Sequence, residues 1–170
     1  MTLTVAELDA LPAQAAAEEL AACCGSSRWV MGMLMRRPFG TRDQVLEAAD
    51  DAAEQLDVAD WIEAFSHHPK IGESRPSADV GTTARDWSAN EQSTAAASLH
   101  AIQEELAEAN RMYAEHFGFI FIICASGRTA PEILAALRDR MNNQPEVELA
   151  IAAHEQHKIT RLRLDKLLSS

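Results

Sequence analysis

The stretch TRDQVLEAADDAAEQL, residues 41–56, decides the fold class of this chain. Its apolar side chains recur about every 3.6 residues, the period of an amphipathic α-helix, at Val45, Leu46, Ala49, Ala52, Ala53 and Leu56. The sequence therefore predicts a helix over residues 41–56.

Most of the remaining chain is helical in pattern as well. The capping box Thr4-x-x-Glu7 opens a short first helix. Further helices are predicted over Pro12–Cys24, Arg28–Arg36, Ala59–Ser66, Ser88–Phe117, Thr129–Met141 and from Pro145 to about Leu168. Within the second of these, Met31, Met33 and Met35 are expected to fill the core. We predict an all-α fold, a single-domain multi-helix bundle over residues 1–170.

Length and composition fit one globular domain. The chain has 170 residues, of which 47% are hydrophobic, enough to bury a core. Its formal net charge is −11, which argues against a nucleic-acid partner because phosphate binding needs a basic face.

The cysteines and the apolar runs indicate a cytoplasmic protein. Three cysteines, two of them adjacent, form no disulfide framework. The segment Met1–Leu11 lacks a basic region and is not a signal peptide. The longest apolar run, Phe117–Ala125, is too short to span a bilayer, so no membrane association is expected.

One segment breaks the helical pattern. Phe119–Ile123 is β-branched and aromatic, and Gly118 and Gly127 bound it. A lone strand has no partner in a helical protein, so the segment is either a buried core helix or an extended segment. An extended segment would leave backbone N–H groups available to hold a carboxylate or carbonyl of a ligand.

The most informative polar stretch is His68-Pro69-Lys70-Ile71-Gly72-Glu73, in a loop between two predicted helices. Proline keeps the preceding residue out of helical conformation, so His68 is expected to point off the scaffold as a general acid or base. Downstream, Ser88-x-x-Glu91 opens a helix as a capping box. Glu91 either caps that helix or turns towards His68, where a carboxylate would orient the ring.

Two further groups lie on the last helix. His154 and His157 would form a zinc site with His67 and His68, although their spacing is not that of the metalloprotease motif and a solvated face is the plainer interpretation. Arg161 and Arg163 face different sides. An inward arginine would hold either an anionic substrate or an acidic side chain.

Taken in order, these segments resemble one known family. His68-Pro69, Ser88-x-x-Glu91-Gln92, Phe117-Gly118-Phe119-Ile120-Phe121-Ile122 and Leu162-Arg163-Leu164 follow one another as in 2-oxo-4-hydroxy-4-carboxy-5-ureidoimidazoline (OHCU) decarboxylases. The resemblance runs from the Cys24-Gly25-Ser26 region to Leu167. It implies a helical homodimer that decarboxylates OHCU to (S)-allantoin in uric acid degradation, without metal or other cofactor.

The resemblance also implies a role for individual residues. His68 matches the family's catalytic histidine and Glu91 its partner carboxylate. Arg163 matches the arginine that holds the substrate. The other substrate-binding positions implied are Pro69, Ser88, Gln92, Phe119, Ile120, Phe121, Ile122 and Ile123.

Two other functions remain open from the residues alone. The four histidines would suit a metal-dependent hydrolase, which a chelator would inhibit. An acidic helical binding module, in which His-Pro is only a turn, would be no enzyme and would not turn over OHCU.

Overall fold

The fold is described from a computed structural model. It describes residues 2–69 and 89–168, with the side chains of the second range from residue 98 onward. The described parts contain eight α-helices and no β-strand: α1 (Val5–Ala10), α2 (Ala13–Cys23), α3 (Ser27–Met35), α4 (Arg42–Glu54), α5 (Val58–Ser66), α6 (Ala89–Phe117), α7 (Ala130–Arg140) and α8 (Pro145–Leu167). The predicted all-α class is confirmed, and every predicted helix forms within two residues of its expected bounds.

Local sequence signals explain where several helices begin. Thr4 and Glu7 form the predicted capping box of α1, in which each side chain bonds the other residue's backbone N–H. The same arrangement starts α7 at Thr129 and Glu132. Among the helices of the described chain, none is long and apolar enough to cross a membrane.

The chain divides into two compact units. Unit 1 comprises Met1–His68, Ile122–Cys124 and Pro145–Ser170, and unit 2 comprises Pro69–Phe121 and Ala125–Gln144. In unit 1, α2 packs on α3 and α8, and α4 packs on α3 and α8. Fully buried Trp29 links α3 to α4 by donating its indole N–H to the carbonyl of Ala49 at 3.2 Å.

The core of unit 1 follows the helical periodicity of α4. Its buried side chains are Val45, Ala48, Ala49 and Ala52. The two ends of the described chain meet beside this core, where the Leu3 N–H donates to the carbonyl of Leu167 at 2.7 Å.

The core of unit 2 forms around Tyr113 of α6. This side chain is fully buried, and its ring centroid lies 4.7 Å from that of Phe117 and 5.2 Å from that of Phe121. Gly118 ends α6 with φ of 81°, a left-handed conformation that side chains rarely adopt.

Two expectations need correction. Met31 and Met35 are 58% and 79% exposed, and only Met33 of that group is buried. Residues two apart on a helix lie about 200° apart, so alternate methionines cannot all face the core. The possibility that Phe119–Ile123 is a core helix is also wrong, because residues 120–125 have no regular secondary structure.

Candidate active site

His68 lies two residues after the end of α5, and His67 between them is the C-cap of that helix. Its backbone N–H donates to the carbonyl of Phe65 at 3.2 Å, in the last turn of the helix. Pro69 follows and is exposed, and proline disfavours helical conformation at the residue before it. The half-buried His68 ring turns inward, with Nε2 2.5 Å from Oε1 of Gln156 on α8.

Gln156 belongs to a buried polar pair on α8. Its side chain is fully buried, and its Nε2 donates to Oγ1 of Thr160 at 3.3 Å. The Thr160 hydroxyl donates to the backbone carbonyl of Gln156 at 3.0 Å. Both side chains are thus satisfied, as buried polar groups require.

Gln156 is not among the site residues predicted from the sequence, although its position in α8 carries a signal. Ala152, Gln156, Thr160 and Leu164 recur every four residues along α8, and all four are buried. Polar residues within such a stripe face the core, where they need a specific partner. The stripe therefore indicates an inward polar site.

The surroundings of His68 favour its neutral form. Burial lowers the pKa of His68 below its ordinary value, and the charge of Arg163 and the electrostatic influence of His67 lower it further. The hydrogen bond to Gln156 opposes these effects. At neutral pH the ring is therefore uncharged and able to accept a proton.

The two arginines of α8 have different partners. Arg163 donates from Nη1 to the carbonyl oxygens of Ala22 and Cys23, both at 3.4 Å, at the carboxyl end of α2. Arg161 instead pairs with Asp50 at 2.5 Å, and 40% of its side chain is exposed. Arg163 lies close enough to His68 for its charge to lower the pKa of that imidazole, and its role as the substrate-holding arginine stays a prediction.

The Cys23 and Cys24 thiols lie beneath Arg163 and are buried in the core of unit 1. Burial raises the pKa of Cys23 to about 12, although the charge of Arg163 partly opposes it. The pKa of the Cys24 thiol is raised for the same reason. Neither is a nucleophile at neutral pH.

His67 is held differently from its neighbour. As the C-cap of α5, it donates from Nδ1 to the carbonyl of Glu63 in the last turn of that helix, at 2.9 Å. The Glu63 carboxylate accepts hydrogen bonds from the backbone N–H and the hydroxyl of Ser27. Gly25 lies against the imidazole, since a Cβ at this position would be 2.3 Å from Cγ of His67.

The remaining histidines of the suggested metal site also have other positions. His157 bonds Asp50 at 2.8 Å through Nε2, and His154 is exposed. Across residues 2–69 and 98–168, no group of three or more His, Cys, Asp or Glu side chains is arranged to hold a metal ion.

Other predicted site residues are only partly described. Ser88 and the side chains of Glu91 and Gln92 lie outside the described residues. Ile122 and Ile123 belong to unit 1 with His68, whereas the remaining predicted contacts of that segment belong to unit 2: Phe119, Ile120 and Phe121.

One backbone N–H next to the predicted ligand-binding segment forms a hydrogen bond within the protein and is not available to a ligand. The N–H of Cys124 donates to the carboxylate of Glu155 at 2.7 Å, and Lys158 bonds the same carboxylate at 2.6 Å. Glu155 is buried, so this contact fixes the end of the segment on α8.

Comparisons with known proteins agree on one family. A family model for OHCU decarboxylase matches residues 9–165. A uric acid degradation bifunctional protein of Arabidopsis thaliana is 48% identical over 153 residues, which cover 89% of this chain and 47% of that protein. An OHCU decarboxylase of Haloferax volcanii is 28% identical over 79% of this chain and 77% of its own. The chain thus spans about half of the plant relative.

Solved structures support the same relationship. A crystal structure of OHCU decarboxylase in the presence of (S)-allantoin matches with a TM-score of 0.72 and 47% identity, covering 90% of this chain and 99% of that one. A crystal structure of (S)-allantoin synthase has a TM-score of 0.70 at 22% identity, over 98% of this chain and 54% of that one. The second likeness concerns the fold alone.

Proposed function

This chain belongs to the OHCU decarboxylase family, and we propose that it decarboxylates OHCU to (S)-allantoin in uric acid degradation. The observation that carries the proposal is the His68 site. A half-buried imidazole with a lowered pKa lies on the same side of α8 as Arg163. Together they supply a base and a cation for an acidic substrate.

The substrate chemistry needs little beyond such a site. OHCU carries its carboxylate on the carbon that bears the hydroxyl, next to a ring C=N bond. When the bond to the carboxylate breaks and CO2 leaves, the imine accepts the electron pair. The protein must orient the substrate, move a proton and limit access of water. We therefore propose a reaction without metal or other cofactor.

Each residue has a specific part in this proposal. His68 accepts the hydroxyl proton, and Glu91 supports the ring as its carboxylate partner. Arg163 holds the planar, carbonyl-rich part of the substrate through its guanidinium. Protonation of the enol-like intermediate from one side then gives the S configuration. The family resemblance supports additional contacts from Pro69, Ser88, Gln92 and residues 119–123.

The test couples this protein to urate oxidation and hydrolysis, which generate OHCU in place. Circular dichroism then follows the handedness of the allantoin. We expect rapid formation of the S enantiomer with the wild-type chain, and the slow racemic background with His68→Asn. Racemic allantoin at the background rate with the wild-type chain would refute the decarboxylase proposal and favour the binding module. Rapid formation of the S enantiomer by both proteins would refute the role of His68 alone.

A chelator separates the decarboxylase from the hydrolase alternative. We expect full activity after exhaustive EDTA treatment, because the four histidines of that alternative do not share a site: His67, His68, His154 and His157. Loss of activity that zinc restores would contradict this mechanism.

We further propose a cytoplasmic homodimer in which residues 1–170 form one domain. The family resemblance supports the dimer, and the cysteine content supports a reducing compartment. Light scattering after size exclusion should give twice the chain mass of 18.6 kDa over a wide concentration range. A single-chain mass at every concentration would contradict the dimer.

A further inference from the structure

The hydrogen bonds around Gln156 run in one direction. The Thr160 hydroxyl donates its only proton to the backbone carbonyl of Gln156 at 3.0 Å. Its oxygen is therefore an acceptor towards the Gln156 side chain, which must present its NH2 group there, at 3.3 Å. The amide oxygen of Gln156 is then the atom that faces His68.

This direction determines where the His68 ring carries its proton. An amide oxygen only accepts hydrogen bonds, so the nitrogen 2.5 Å away, Nε2 of His68, must be the donor. A neutral imidazole has one N–H and one lone pair. The lone pair of neutral His68 is therefore on Nδ1.

We infer that Gln156 is a positioning residue that fixes His68 as the Nε2-protonated tautomer, which makes Nδ1 the atom that accepts the substrate's hydroxyl proton. The inference rests on the proposed function. In the step, the O–H bond breaks, an N–H bond forms at Nδ1, and the ring becomes an imidazolium. Its Nε2–H keeps the bond to Gln156, which becomes stronger because the donor is now charged.

An amide is well suited to this position. A buried carboxylate in place of the amide would hold the same tautomer, but it would also stabilise the imidazolium and raise the pKa of His68. The neutral amide orients the ring while burial and the charge of Arg163 keep it unprotonated.

NMR of protein labelled with ¹⁵N in its histidines tests the tautomer directly, with the His68 signals assigned by their loss in His68→Asn. We expect Nε2 to carry the proton in the wild type. Gln156→Met retains length and burial but removes the acceptor. It should mix the two tautomers and lower kcat by about 10- to 100-fold, the range that applies when a group that orients a metal-bound histidine is removed. KM should change less.

The matched control is Gln14→Met, which removes an exposed glutamine whose side chain donates to Glu18 at 3.0 Å. It should leave both the tautomer and kcat unchanged. Should Gln156→Met fail to fold, Thr160→Val and Thr160→Ser give the same comparison, since only serine keeps the hydroxyl that orients the amide. We expect valine to mix the tautomers and serine to preserve them.

Gln156→Glu distinguishes orientation from simple packing. It should keep the proton on Nε2 but move the acid limb of the kcat profile to higher pH, because an anion now faces the ring. A proton on Nδ1 in the wild type, or unchanged tautomer and kcat in Gln156→Met, would overturn the inference. Absence of turnover by the wild type would instead refute the proposed function, while the NMR result would still decide the tautomer.

Discussion

Because Gly25 lies against His67, we predict that a substitution at Gly25 affects catalysis, although Gly25 is not one of the predicted site residues. An alanine Cβ at position 25 would lie 2.3 Å from Cγ of His67 and 2.6 Å from its Cβ and Nδ1. Carbon atoms in contact prefer a separation of about 3.5–4.0 Å, so the His67 ring would have to move by about 1.2 Å or more. Gly25→Ala therefore displaces the residue next to His68.

The displacement sets the size of the expected effect. Because the two histidines are adjacent in the chain, we expect this displacement to disturb the 2.5 Å contact between His68 and Gln156. A misplacement of about 1 Å in a catalytic group costs on the order of 10²-fold in rate. We expect Gly25→Ala to lower kcat/KM by about 10²-fold and the free energy of unfolding by about 1–3 kcal/mol, the cost of overpacking.

The coupled circular dichroism assay measures kcat/KM, and thermal unfolding measures stability. His67→Gly alone should be nearly neutral for kcat/KM, because glycine adopts the φ of −85° found there. When His67→Gly is combined with Gly25→Ala, the three clashing atoms of His67, Cβ, Cγ and Nδ1, are absent. The double variant should therefore recover most of the activity. The reasoning is refuted if the double variant is no more active than Gly25→Ala.

Three further predictions concern the site itself. His68→Asn should lower turnover by about 10²-fold or more, the range for a general acid or base, whereas His67→Asn should be mild; equal losses would contradict the distinction between the two histidines. Arg163→Lys should lose about 1.5–3 kcal/mol of transition-state binding, or about 10- to 150-fold in kcat/KM. Arg161→Lys should lose little because lysine can still pair with Asp50, and a larger loss there would reverse the assignment. Finally, kcat/KM should rise with pH through the lowered pKa of His68 and be constant above about pH 6.5; an acid limb centred above that value would indicate a protonated resting histidine.

Local signals in the sequence account for most of the fold. Capping residues, Pro145 and the 3.6-residue pattern define helix ends because the groups involved are neighbours in the chain. Residues 119–123 carried no such signal, since a short apolar run fits a helix and an extended segment equally well. Their conformation depends on contacts such as that between Cys124 and Glu155, 31 residues apart.

Residues of the candidate site also differ in whether neighbouring sequence or distant contacts reveal them. His68 was recognisable because Pro69 follows it and because an ordered set of motifs surrounds it. Gln156 was not, because its meaning depends on a histidine 88 positions away. The role of Gly25 was not recognisable either, because the constraint on it comes from the imidazole of His67.

The buried thiol of Cys23 can be used to measure how often the carboxyl end of α2 separates from α8 beside Arg163. With a pKa of about 12, on the order of 10⁻⁴ or less of this thiol is the reactive thiolate near neutral pH. An alkylating reagent would therefore modify it only when the carboxyl end of α2 separates from α8 and admits water. The rate of modification then reports how often α2 and α8 separate at this point. The reaction leaves the proposed catalytic groups unmodified.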